Sequence, residues 1–279
     1  MIIFLLKKTF YDLLDNAVPI AAINLVLIIL FAIPVLTANI LKSVFNSEII
    51  PVIIVVIDIF ICCAYLACVA KEVRKISDYQ SLSVKDFVKN IKKNIGKTVI
   101  AAIVTSVYLG LLVLTFAFIL PFYLLIDSIY SLLFAAFIFW IAIAAIIVFQ
   151  FLLPVSMRLK KTHINGSHDE GKQRLGMLKK CFALFFDNKS FFAFCTLLGF
   201  FLLSLSLLTG FLFPGPAGIL LFYDEALRLR LNKYRQPRHS YATSERLRKK
   251  YDWKNLLKDD MEKTGNRTFQ SIFFPWKNS

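Results

Sequence analysis

Five long stretches without charge limit this chain more than any other feature. Residues 17–41, 98–126, 128–157 and 190–223 contain no charged side chain, and residues 49–70 are interrupted only by Asp58. A helix needs about 20 apolar residues to cross the hydrocarbon core of a bilayer. In lipid, backbone polar groups must be paired within a helix or a closed barrel. The polar–apolar alternation of a barrel strand is absent from these stretches. The pattern therefore predicts an all-α, polytopic helical membrane protein with spans at about 17–41, 49–70, 98–121, 131–157 and 191–213.

Composition agrees. Hydrophobic residues make up 58% of the 279, and 28 positions are Phe. Lys plus Arg nevertheless exceed Asp plus Glu by 33 to 18. An apolar and strongly basic chain fits membrane helices joined by positive loops, and excludes a secreted disulfide scaffold, a disordered chain and a lone water-soluble enzyme. The cysteines Cys62, Cys63, Cys68, Cys181 and Cys195 lack the spacing of a zinc or redox site and read as helix-packing residues. Residues 1–6 are apolar but too short for a signal peptide, and Lys7 and Lys8 follow rather than precede them, so the first span is expected to be retained.

Charge asymmetry orients the chain. Two positive residues precede the first span and one, Lys42, follows it. Residues 71–97 and 158–189 carry eight each, the turn around Asp127 carries none, and the chain beyond Phe213 carries fourteen. Positive loops stay on the cytoplasmic side. Five crossings would put those fourteen outside, so a short sixth segment at 217–232, crossing or re-entrant, is expected after Pro214-Gly215-Pro216. Its later half, with Asp224, Glu225, Arg228 and Arg230, would reach the interface, where long side chains snorkel. Both termini are then cytoplasmic, with 235–279 a basic tail ending in an aromatic cluster.

The membrane region, 1–234, also reads as three pseudo-repeated helical hairpins. Each unit has an amphipathic stretch, an apolar helix, a Pro and a second helix ending in basic residues. The amphipathic stretches are basic and suited to the headgroup plane. Val84, Phe87, Val88, Ile91 and Ile95 form one apolar stripe beside Lys85, Lys89, Lys92 and Lys93. Leu175, Leu178, Phe182 and Phe185 form another beside Lys179 and Lys180, and Leu6, Phe10, Leu13 and Leu14 form a third. Phe273, Phe274 and Trp276 are candidates for an interfacial anchor.

The opening NAVPIAAINLVLIILFAIPVLTANI, with Asn24, Pro34 and the segment 35–38, resembles the YesL-like family of bacterial integral membrane proteins. Residues 84–119 and the Pro/Gly turn with a short basic-ended helix at 213–234 are similar to that family's later segments. The family's Gly after the Pro segment is missing, and the tail is extra. The family has no established reaction. Some members look like companions of carbohydrate uptake systems, which implies a transport-accessory role.

Among individual residues Asp58 stands out, because a carboxylate deep in a span costs about 2.5–3.5 kcal/mol on insertion scales. Asn24, Thr105, Ser106, Tyr108 and Gln150 are the intramembrane polar groups that could face it. Two readings stay open: a proton- or ion-linked site, and an interhelical hydrogen bond that fixes packing. In HINGSHDEG, Ser167 and Glu170 fit a helix capping box better than His163, His168, Asp169 and Glu170 fit a metal site. The segment 214–218 lacks the GK[ST] ending of a phosphate loop. No metal, cofactor or catalytic constellation is expected, and no nucleic-acid reading motif accompanies the positive charge. The expectation is a non-enzymatic accessory or scaffold protein of the bacterial cytoplasmic membrane. Its expected contacts are anionic headgroups and either transport subunits or further copies of itself. The alternative is a self-contained transporter using Asp58.

Overall fold

The computed structural model describes residues 1–45, 49–80, 84–158, 170–235, 253 and 257–265. Among them the fold is all-helical. Helix α1 (Ile2–Asp15) leads into α2 (Ala17–Phe45), α3 (Ile49–Ser77) and α4 (Val84–Leu114). A π-helical turn (Thr115–Ile119) joins α4 to α5 (Leu120–Leu125), and α6 (Ile129–Arg158), α7 (Glu170–Asp187), α8 (Lys189–Leu208), α9 (Gly215–Arg235) and α10 (Lys258–Thr264) follow. Five stretches are long and apolar enough to cross a bilayer: Ala17–Ala38, Ile53–Ser77, Ala101–Leu125, Ile129–Arg158 and Lys189–Leu208. The chain is an all-α polytopic membrane protein.

Local chemistry explains several boundaries. Pro19 and Pro51 sit in the first turns of α2 and α3, where a missing N–H costs nothing. The π-helical turn lies just before Pro121 and within the third apolar stretch, and such single turns interrupt longer helices locally. Helix α3 stops in a Schellman-type cap, with Gln80 N–H donating to the Lys75 carbonyl and Tyr79 N–H to that of Ile76. The left-handed position of this cap is Tyr79, at φ 62°, where glycine is usual.

The burial pattern is inverted relative to the charge pattern. The helix at the centre is α9, which carries Asp224, Glu225, Arg228 and Arg230 in its middle. Its Phe222, Tyr223, Ala226 and Leu227 pack with Leu5 of α1, Phe151 of α6 and Phe192 of α8. On its other side Ala217 and Leu221 pack with Ile20 and Ile23 of α2 and Val69 and Val73 of α3. Ring centroids of Phe151 lie 4.2 Å from Phe192 and 5.0 Å from Tyr223. The most apolar stretches instead leave large side chains exposed, among them Phe118, Phe137, Trp140 and Leu208. Such faces suit lipid rather than water.

The α8–α9 hairpin is shorter than its neighbours. Its turn meets Asn24, whose Nδ2 donates to the carbonyls of Leu212 and Pro214 (2.9 and 2.8 Å), while its Oδ1 accepts from Ala217 N–H (2.9 Å). Tyr65 of α3 donates to the Ile23 carbonyl at the same level (2.9 Å). At about 1.5 Å per residue, α2 runs roughly 31 Å beyond Asn24, and α3 extends roughly 24 Å from Tyr65 to Ile49. The hairpin turn thus lies far short of the far ends of α2 and α3.

Candidate functional site

Two acidic residues follow directly on the apolar start of α9, and both are buried at its middle: Asp224 and Glu225. A carboxylate removed from water needs a cation and hydrogen bonds in good geometry. Both residues have them, from different neighbouring helices.

Asp224 faces α6 and α3. Arg158, the last residue of α6, grips it with two nitrogens, Nε to Oδ1 at 2.7 Å and Nη2 to Oδ2. Ser77 Oγ donates to Asp224 Oδ2 at 2.5 Å. Arg158 also reaches Asp78 Oδ1 (3.3 Å) and the Ser77 hydroxyl. One turn along α9, Arg228 bridges Asp78 Oδ1 (3.4 Å), the Ser77 carbonyl and Asp260 Oδ1 of α10 (2.7 Å). The C-terminal cap of α3 is thereby tied to α6, α9 and the tail helix. Cations near those last carbonyls also complement the helix dipole.

Glu225 faces α1. Lys8 Nζ donates to Glu225 Oε1 at 3.2 Å and to Asp12, and Thr9 Oγ1 donates to Glu225 Oε2. Both Lys8 and Glu225 are at 0% exposure. Burial pushes the Glu225 carboxyl well above the usual range; Lys8 pulls it down, and Asp12 adds to the rise. Burial alone would lower Lys8, but Glu225 and Asp12 more than offset this and raise it. One ammonium is thus shared by two carboxylates.

Tyr79 joins the two halves. Lys8 Nζ lies 4.2 Å and the Arg228 guanidinium carbon 4.8 Å from its ring centroid. Its hydroxyl donates to the Asp260 carbonyl at 3.0 Å and lies 3.2 Å from Thr264 Oγ1. Cation–π contact and these hydrogen bonds hold a tyrosine in a backbone conformation it rarely adopts.

The intramembrane polar residues singled out from sequence are dispersed. Asn24 fastens the hairpin turn. Thr105 bonds back to the carbonyls of Ala101 and Ala102, and Ser106 to that of Ala102. Tyr108 donates to the Ala145 carbonyl across to α6 (2.8 Å) and stacks on Phe149. Gln150 Oε1 is buried with no partner among the described residues. Asp58 is 3% exposed, and its described hydrogen bond is from the Cys62 thiol at 3.7 Å, one turn along α3. No described hydrogen bond joins Asp58 to any of the others.

Of the interface lysines, Lys89, Lys179 and Lys180 are exposed. The side chains of Lys85, Lys92 and Lys93 lie outside the described residues, as do Phe273, Phe274, Trp276 and the HINGSHDEG loop up to Asp169. In helix α1, Leu6, Phe10 and Leu14 of the expected stripe are exposed and Leu13 is buried, while Leu5, Lys8, Thr9 and Tyr11 form the rest of the buried face. Sequence reasoning missed the network itself. The available signal was Asp224-Glu225 placed straight after an apolar run. Among the described residues no group of His, Cys, Asp and Glu is arranged to hold a metal.

Comparison with known proteins returns no matching family model, curated protein or solved structure.

Proposed function

We propose that this chain is a non-enzymatic accessory or scaffold protein of the bacterial cytoplasmic membrane, built on four crossings and a re-entrant hairpin. The observation that carries the reading is how the polar groups at membrane depth are used. Asn24, Thr105, Ser106 and Tyr108 each satisfy backbone groups. The buried charges neutralise one another across α1, α3, α6, α9 and α10. Such an arrangement fixes relative helix positions and leaves large apolar faces on α2, α4 and α6 for lipid or another membrane protein.

The re-entrant assignment is supported by the depth of the Asn24 clamp. If the Ser77–Asp224 pair marks the interface, twelve residues of α3 from Ser77 to Tyr65 reach about 18 Å into a core about 30 Å thick. Helices α8 and α9 then enter and leave on one side. The basic segments 71–97 and 158–189 and the tail all share that side, the cytoplasm by the positive-inside rule. The resemblance to the YesL-like family favours solute uptake as the setting.

A mild-detergent pull-down of tagged protein from its own membranes, read by mass spectrometry, tests the role. A stoichiometric integral membrane partner is expected. Recovery of the chain alone, as a monomer, would contradict it. A second reading rests on the burial of Asp58, whose donor among the described residues is a thiol: a self-contained transporter using that carboxylate. Asp58→Asn would then abolish solute uptake while leaving assembly normal.

A further inference from the structure

An apolar groove of about 660 Å³ opens between α1 and α8, floored by Phe222 of α9. Its walls include Leu6 and Phe10 of α1 and Leu198, Phe201 and Leu202 of α8, and Lys7 stands on its rim. The volume falls within the roughly 300–1,000 Å³ of small-ligand sites, so it admits far more than one side chain. We infer that the groove holds one acyl chain of an anionic phospholipid, with Lys7 taking the headgroup phosphate.

Three observations carry this. First, the α8 wall lies in a stretch apolar enough to be in the bilayer, and Leu197 and Phe201 beside the groove are 69% and 65% exposed. A chain of methylenes is the occupant such a wall meets. Second, α1 turns its apolar residues outward: Ile3, Leu6, Phe10 and Leu14 are all exposed, which lays this helix along the membrane surface. Third, neighbouring lysines are treated differently. Lys8 is consumed by Glu225 and Asp12, whereas Lys7 forms no ion pair among the described residues and donates only to the Gly265 carbonyl, at 3.4 Å. A lysine at headgroup level with no carboxylate partner complements a phosphate. The inference depends on the membrane placement of α1 and α8 and not on the accessory role.

Native mass spectrometry of the full-length protein in mild detergent, titrated with phosphatidylglycerol or phosphatidylcholine, tests it. Wild type should retain one phosphatidylglycerol in preference to phosphatidylcholine. Lys7→Gln should cut that preference by about fivefold, the worth of one lysine near a lipid surface. Leu198→Trp, which fills the groove, should lose the bound lipid of either kind. A wild-type measurement guards against misfolded variants: phosphatidylglycerol carrying a photoreactive group on its acyl chain should label the peptides holding 3–13 and 198–202. Label spread evenly over α2, α4 and α6, or unchanged adducts in both variants, would overturn the site. Label excluded from the groove by a co-purified polypeptide would overturn it equally.

Discussion

Glu225 and Asp224 are neighbours in sequence but carry opposite risks. Asp224 is half of a two-pronged pair with Arg158, whose side chain is 5% exposed. Removing one member of a buried pair costs about 3–5 kcal/mol, while replacing both by apolar residues is often neutral. Asp224→Asn should therefore lower the thermal midpoint in detergent sharply, and Arg158→Met with Asp224→Leu should recover most of the loss. A double variant as unstable as the single one would mean that the pair does more than hold helices together. Glu225 is a pH question. Its folded value is raised, so its contribution to stability is complete below the unfolded value, near pH 4–5, and is lost as pH rises through the folded value. Lys8 is raised too, but the window in which its contribution is lost lies above the ordinary lysine range. Above the unfolded carboxyl value, wild-type midpoints should fall as pH rises, and those of Glu225→Gln, which cannot ionise, should fall less. Parallel profiles would show that Glu225 does not carry this dependence.

At the scale of elements the α8–α9 hairpin depends on one side chain from a distant helix. Gly215 has φ 59°, and a Cβ there would sit 2.2 Å from Asn24 Nδ2. Gly215→Ala and Asn24→Leu should each lower the midpoint, the latter removing the side-chain partners of the Leu212 carbonyl and the Ala217 N–H at about 1–3 kcal/mol apiece, while Pro214 keeps its bond from Gly218 N–H. Because both break the same clamp, the double variant should be little worse than the weaker single one; simple additivity would show two independent effects. A similar close fit appears where Gly199 of α8 meets the Tyr223 ring, since a Cβ at that glycine would overlap the hydroxyl. The sequence shows a turn at Pro214-Gly215-Pro216 and an unusual Asn24. It does not show that they meet, because the pairing spans about 190 positions and leaves no periodicity behind.

For the whole molecule, the all-helical membrane class was legible because apolar runs and loop charge are one-dimensional signals. The charge network was not. Snorkelling is the natural reading of Arg228 and Arg230, and Lys8 enters the sequence reading only as one of two positive residues before the first span. Only the packing of α1 onto α9 turns Lys8 inward, and only the return of the tail brings Asp260 to Arg228. Asp58 stood out in sequence as a charge in a span, yet its described donor is Cys62, one turn along its own helix. On the proposed topology the central helix α9 is a charged wedge inserted from one side of the bundle. Cysteine accessibility in intact cells tests that wedge. The native thiols other than Cys62 are buried, and all five would be replaced by Ala. Cysteine at Asp127, in the turn before α6, should react with an impermeant maleimide added outside, whereas cysteine at Thr209, at the α8–α9 turn, should not react from outside. Labelling of Thr209→Cys from outside as rapid as that of Asp127→Cys would mean that the hairpin crosses the membrane.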